Sequence, residues 1–248
     1  MSMVVILVGL GYCTLLVAVG LAVWGGLRDA PRVSRGTEAA AWAAGGLLVF
    51  GALLAWGSRL PALEGMANSF SIVTVEGPVS SMVLMAALAI PLEPQGRRGA
   101  HWSRSLLYVP AVVLSGVALV LMTGSSEGGL VTNWITPIRF LLAVCAGLGA
   151  RTLGQALQVI AAGSRQVERP GAFTYGFLTL VLGSVALVNL WQRGTVWSGV
   201  DPVMRGGVVG AWLAWSAGWL ASSWHLRLRA LVMAIAALLL MVTAANGA

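Results

Sequence analysis

Charge is what this chain lacks most. Only 9% of its 248 residues are Asp, Glu, Lys or Arg, and lysine is absent altogether, where an ordinary soluble domain carries roughly a quarter charged residues. With 58% apolar residues, the polar surface is too small to enclose the apolar one in water. That excludes a soluble globular domain and makes lipid the solvent. Cysteine is nearly missing as well, with only Cys13 and Cys145. Both fall in apolar runs, where a thiol is ordinarily a small packing residue, so neither a disulfide nor a metal site is expected. No hydrolase triad, P-loop, HExxH or CxxC occurs, and an enzyme is not expected. The N-terminal Met-Ser-Met-Val-Val has no basic segment and no Ala-x-Ala follows the first apolar run, so that run is expected to stay as a span.

What the chain does have is apolar runs of the length that crosses a bilayer, about 20 residues at 1.5 Å each. They fall at 3–27, 38–57, 70–91, 105–123, 136–163, 173–190, 207–224 and 229–246, leaving about 80 residues for connections and ends. The expected architecture is an all-α, polytopic bundle of about eight transmembrane helices forming one integral membrane domain over 1–248. The 15 arginines give a net charge of +7, but their placement points to topology and not to nucleic acid. Arg28, Arg32, Arg35, Arg97, Arg98, Arg104, Arg165, Arg169, Arg227 and Arg229 follow helices 1, 3, 5 and 7; only Arg59, Arg193 and Arg205 follow helices 2, 4 and 6. Ten against three is a positive-inside bias. It places both termini on the outer (periplasmic or extracellular) face of a multi-pass protein of the cell's inner, cytoplasmic membrane. Anionic lipid adds a weak further attraction.

Glycine is abundant, 32 residues, with small-residue spacing in helices 1, 5 and 7; in lipid this allows close backbone approach and marks helix packing. No internal repeat points to an inverted-repeat transporter. Short connections make sequential helices neighbours. Pro78 beside Gly77 predicts a kink in helix 3. Glu76 lies within the same run, where a carboxylate near mid-bilayer costs about 2.5–3.5 kcal/mol. It calls for a partner, and Arg139 and Arg151 of helix 5 are the cations available for a structural ion pair. Trp212, Trp215 and Trp219 recur at i, i+3 and i+7 and form one stripe on helix 7, either a packing face or a cofactor wall.

The outer connections carry the remaining signal. The stretch Arg193-Gly194-Thr195-Val196-Trp197-Ser198-Gly199-Val200-Asp201-Pro202 resembles the Trp-Gly-x-Tyr-Trp-x-Trp-Asp-Pro segment of the cytochrome c assembly family, the tryptophan-rich "WWD" haem-handling membrane proteins. Gly194, Trp197, Asp201 and Pro202 fit; Arg193 and Val200 stand for Trp, Val196 for Tyr, and one residue is inserted before Asp201. The connection 57–69 is similar to the family's Ser-Gly-His-x-Pro-Leu segment, with Arg59 at the His and Pro61, Leu63 and Ser69 near their places. Trp134 through Gly149 resembles its Trp-x-x-x-His-Val segment, with Arg139 near the His. The likeness covers roughly 45–248 in order and topology.

The resemblance implies a protein that acts with haem or a cytochrome partner on the outer face. Trp197, Asp201, Trp212 and Trp215 would then contact haem, and Arg59 and Arg139 its propionates through bidentate hydrogen bonds. The departures bear on the iron. Haem iron takes His, Met, Cys or Tyr as axial ligand, whereas Arg is permanently protonated and offers only donors. The two histidines, His101 and His225, fall in connections on the cytoplasmic side, and the family's C-terminal His is missing. Iron-binding chemistry is therefore expected to be lost or altered. The alternative expectation is a haem-free structural subunit of a respiratory or photosynthetic electron-transfer complex, and a weaker third is a small-molecule transporter. Asp201 also has a purely structural use, since an Asp before a helix caps it and complements its dipole.

Overall fold

A computed structural model describes residues 3–28, 31–57, 77–91, 105–124, 137–162, 172–196, 202–220 and 225–246. Among them the chain is all-helical, with eight helices and no strand: α1 (Met3–Arg28), α2 (Pro31–Gly57), α3 (Gly77–Ala89), α4 (Val109–Gly124), α5 (Pro137–Ala162), α6 (Ala172–Arg193), α7 (Pro202–Leu220) and α8 (Leu226–Asn246). Four contain stretches long and apolar enough to cross a membrane: Met3–Gly25, Arg35–Leu54, Thr174–Trp191 and Leu226–Ala245. The described parts of α3 and α4 are shorter, and α5, though 26 residues long, carries Arg139, Arg151, Gln155 and Gln158.

Several helix bounds differ from the sequence expectation, each time because polar residues belong to a helix end. α2 starts at Pro31 and not at 38. Proline at the first turn gives up a donor with no intrahelical partner anyway, so Arg32, Arg35 and Glu38 are helical. Likewise α7 starts at Pro202 and not at 207. α6 runs on through Trp191 to Arg193, placing Trp191 on a helix where a loop was expected. The kink expected at Pro78 falls at the edge of the described residues, where the described part of α3 runs from Gly77.

The bundle has an inside and an outside. α3 packs on α2, α4, α5 and α8, while α5 packs on α3, α4, α6 and α8. Large apolar side chains stand exposed on the surrounding helices (Leu10, Leu53, Val120, Leu180, Leu213, Ile235), but none does so on the described parts of α3 or α5. α1 packs on α2 and α4, α7 on α8 and α6, and every consecutive pair is in contact, as short connections led one to expect. An exposed apolar exterior of this extent is what lipid covers and water does not.

Glycine sets the closest crossings. A Cβ on Gly11 would lie 3.0 Å from Leu48, and one on Gly51 would lie 3.3 Å from Val8, so α1 and α2 run antiparallel in tight contact. Gly210 faces Leu239 and Gly218 faces Met233, which sets α7 antiparallel to α8, and Gly207 leaves no space for a Cβ against Thr243. α5 meets the backbone itself: a Cβ on Gly154 would stand 2.7 Å from the Leu107 carbonyl oxygen, and one on Gly147 would stand 3.1 Å from the Met85 Cα. The small-residue spacing expected to pack helices 1, 5 and 7 does so here. Cysteine divides differently from expectation: Cys145 is buried in α5, whereas Cys13 is exposed on α1.

Candidate functional site

The most elaborate side-chain arrangement among the described residues joins α6 to α7. Tyr175, in the first turn of α6, stacks on two indoles of α7 at once. Its ring centroid is 6.3 Å from Trp212 at an interplanar angle of 17°, and 6.4 Å from Trp219 at 22°. Trp212 and Trp219 are seven residues apart, two turns of one helix face, which leaves room for one ring between them. Offset stacking of this kind contributes about 0.5–1.5 kcal/mol per pair beyond burial.

Hydrogen bonds fix the stack. Ser216 Oγ donates to the Trp212 carbonyl at 2.9 Å. Its single proton is thereby used, so the 2.9 Å contact between Tyr175 Oη and Ser216 Oγ has the tyrosine as donor. Thr179 Oγ1 in turn donates to the Tyr175 carbonyl at 2.8 Å and accepts the Trp212 indole N–H at 3.0 Å. One turn earlier, Thr174 Oγ1 lies 3.4 Å from Thr152 Oγ1 and donates to the Leu148 carbonyl of α5 at 3.3 Å. Each hydroxyl in this apolar setting thus has a nearby acceptor.

The third tryptophan leaves the stripe. Trp215 is fully buried and turns towards the α5–α8 interface, where its ring edge would meet a Cβ on Gly149 at 3.4 Å. Its indole N–H has no hydrogen-bond partner. The single stripe expected for Trp212, Trp215 and Trp219 is therefore divided between a polar aromatic stack on α6 and a dry packing site on α5 and α8. At the far end of α7, Arg229 Nε donates to the Gly218 carbonyl at 3.0 Å, so one of the expected cytoplasmic arginines satisfies an open helix C-terminus.

Of the other residues singled out from sequence, Arg59, Glu76, Trp197 and Asp201 lie outside the described residues, as does the side chain of Arg139. Arg151 is half-buried on α5. Arg139 and Arg151 are separated by 12 positions of one helix, about 18 Å along the axis at 1.5 Å per residue. Gly194, matched to the haem-handling segment, has φ +68°, and its N–H bonds the Leu190 carbonyl at 3.0 Å. That is a left-handed glycine closing a helix. Asn189 Nδ2 secures the same end by donating to the Val196 carbonyl at 3.2 Å.

Among the described residues no group of three or more His, Cys, Asp or Glu side chains converges. His225 is exposed just before α8 and Cys145 is buried in α5. Met233 packs against Gly218, and Tyr175 is committed to Ser216. Sequence reasoning passed over Tyr175, Thr179, Thr174 and Ser216. A hydroxyl every few residues in an apolar helix was the available signal, but the partners lie on other helices.

No protein-family model matches the chain, and neither a curated protein nor a solved structure matches it.

Proposed function

We propose that this chain is a multi-pass protein of the inner membrane that serves as a haem-free structural subunit of an electron-transfer complex. All eight helices lie in the bilayer, both termini are outside, and the 197–201 connection is presented to a partner on the outer face. The observation that carries this reading is the closure of the α6–α7 aromatic stack. Trp212 and Trp219 take Tyr175 as their neighbour, and the polar groups of Tyr175, Thr179 and Ser216 are engaged within the same stack, which supports an architectural role for these two tryptophans. α3 and α5 inside a ring of lipid-exposed helices support the bilayer-embedded bundle. Shielding by the ring also explains how α5 accommodates Arg151 and two glutamines.

The competing proposal is a divergent haem-handling protein of the cytochrome c assembly type, acting with haem or a cytochrome. The Gly194, Trp197, Asp201 and Pro202 matches favour it, with Arg59 and Arg139 as propionate partners. The two are separated by purifying the protein from membranes, recording a pyridine haemochrome spectrum and identifying the subunits that accompany it. Stoichiometric partners without stoichiometric haem are expected; haem retained without partners would overturn the structural-subunit reading. Reporter fusions at the termini and in the 97–104 connection test the topology, with the termini outside and 97–104 inside.

A further inference from the structure

α2 turns one whole face away from the bundle. It packs on α1 and α3, and on its other side Arg35, Ala39, Trp42, Gly46, Val49 and Leu53 are all exposed. Their spacing alternates four and three residues, the seam along which two helices pack side by side. Gly46 has nothing within 4 Å of a built Cβ, and Ala39, one heptad before it, is nearly as small. A second helix can therefore approach closely at this point.

Two side chains of this face are poorly suited to lipid. The register with α1 gives their depth: a Cβ on Gly36 would lie 3.6 Å from Leu21, and one on Gly11 would lie 3.0 Å from Leu48. Trp42 is midway between Gly36 and Leu48, so it stands level with about Leu16, near the middle of the apolar stretch Met3–Gly25. Its ring is 57% exposed there, although an indole in a bilayer settles at the headgroup level. Glu38, exposed beside the seam, is the one acidic side chain among the described residues. It stands deeper than Gly36, inside the end of the same apolar stretch, where a carboxylate facing hydrocarbon is costly. Arg35 is three residues away, and neither of the two has an ion-pair partner among the described residues.

Copies of one chain inserted in one bilayer share an orientation, so two α2 helices run parallel and like residues lie at like depth. A twofold axis along the membrane normal then brings Arg35 of each copy within about one turn of Glu38 of the other, and the pairing occurs twice. From this self-complementarity we infer that the outward face of α2 is an interface with a second copy of this chain. The two α2 helices meet along the 35–53 seam, two Arg35–Glu38 pairs close its inner end, and each Trp42 is covered by the other copy's α2 in place of lipid. The inference rests on the bilayer-embedded bundle proposed above and on nothing said there of an electron-transfer partner.

Disulfide trapping of the full-length protein in native membranes tests this, in a Cys13→Ser background whose remaining Cys145 is buried. Leu53→Cys puts a thiol at the outer end of the seam, and Val242→Cys puts one at the outer end of α8; the parent side chains are 56% and 55% exposed. Copper-phenanthroline oxidation should give at least fivefold more double-mass species from Leu53→Cys than from Val242→Cys, and equal yields would overturn the seam. With Leu53→Cys retained, Glu38→Arg alone and Arg35→Glu alone should each cut the yield at least threefold, because each makes the inner end of the seam like-charged. Co-expressed under different epitope tags, these two variants should cross-link to each other at the parental level, since one brings two arginines and the other two glutamates. A pair confined to one helix, which the i, i+3 spacing also permits, gives no such rescue. Its absence overturns the proposal, as do single variants that leave the yield unchanged. Yields are taken per chain retained in the membrane after carbonate extraction. Retained chain without trapping overturns the seam alone, whereas chain released by carbonate overturns the bilayer-embedded reading and the seam with it.

Discussion

The indole N–H of Trp212 reaches across from α7 to the hydroxyl of Thr179 on α6 at 3.0 Å, and that hydroxyl is itself bonded to the Tyr175 carbonyl. The bond therefore holds the ring of Tyr175 beside the same indole. Stack and hydrogen bonds are one unit, and substitutions that separate them should have unequal effects. Tyr175→Phe removes the bond to Ser216 and keeps the ring. In membrane proteins such bonds average about 0.6 kcal/mol and reach about 1.7, so a loss of about 1 kcal/mol is expected in reversible SDS unfolding. Tyr175→Ala removes the ring as well, and about 3–5 kcal/mol should go with it. Equal losses for the two would mean that the hydroxyl, and not the stack, joins the helices.

Glycines with backbone against them should be intolerant, and glycines in open space should not. Gly154→Ala drives a methyl to within 2.7 Å of the Leu107 carbonyl oxygen, which no side-chain rotation relieves. A loss of about 1–3 kcal/mol follows from overpacking of this kind. Gly176→Ala meets nothing within 4 Å and should be neutral or gain up to about 1 kcal/mol from helix propensity. Thermal unfolding of both in one detergent checks the contrast, which fails if both variants lose stability alike.

Among the described residues, the number of helices, their order and the adjacency of consecutive ones were legible because run length and connection length alone determine them. Glycine packing was legible from spacing. The central position of α3 and α5 was not, because an apolar helix reads the same whether lipid or protein surrounds it. The splitting of the tryptophan stripe was equally hidden: Trp212 and Trp219 find Tyr175, whereas Trp215 finds Gly149, and none of these partners is near in sequence. Gly194 shows the opposite risk. It was matched to a haem-handling segment, yet its left-handed φ and bond to Leu190 give it a helix-ending role that needs no haem.

That role yields its own expectation. A non-glycine residue in the left-handed region costs about 1–2 kcal/mol. Gly194→Ala should therefore fray the last turn of α6 and lower stability by about that amount, while Gly194→Asn, better tolerated there, should cost less. Unfolding free energies in the order glycine, asparagine, alanine check this; an alanine variant as stable as the parent would mean that the turn is not held at positive φ.

Glu76 is the one carboxylate expected deep in the bilayer, with Arg139 and Arg151 as the cations available to pair with it. Breaking a buried pair strands the other charge and costs about 3–5 kcal/mol. Glu76→Gln should lower the yield of folded protein sharply, and at least one of Arg139→Gln and Arg151→Gln should add little to that loss when combined with it. Strict additivity for both combinations, or normal folding of Glu76→Gln alone, would remove the ion pair.

Trp215 supplies the sharpest separation of volume from polarity. Its ring fills the space that Gly149 leaves beside Leu240 and Ala237, while its N–H is buried without an acceptor. An unsatisfied buried donor costs about 1–3 kcal/mol, and Trp215→Phe removes it along with part of the ring. The gain offsets the lost contacts, so the net change should stay within about 1 kcal/mol. Trp215→Ala gains the same relief but opens a cavity, and about 3–5 kcal/mol should be lost. A loss from Trp215→Phe as large as that from Trp215→Ala would show that the N–H is bonded after all, and that this tryptophan is held by polarity and not by fit.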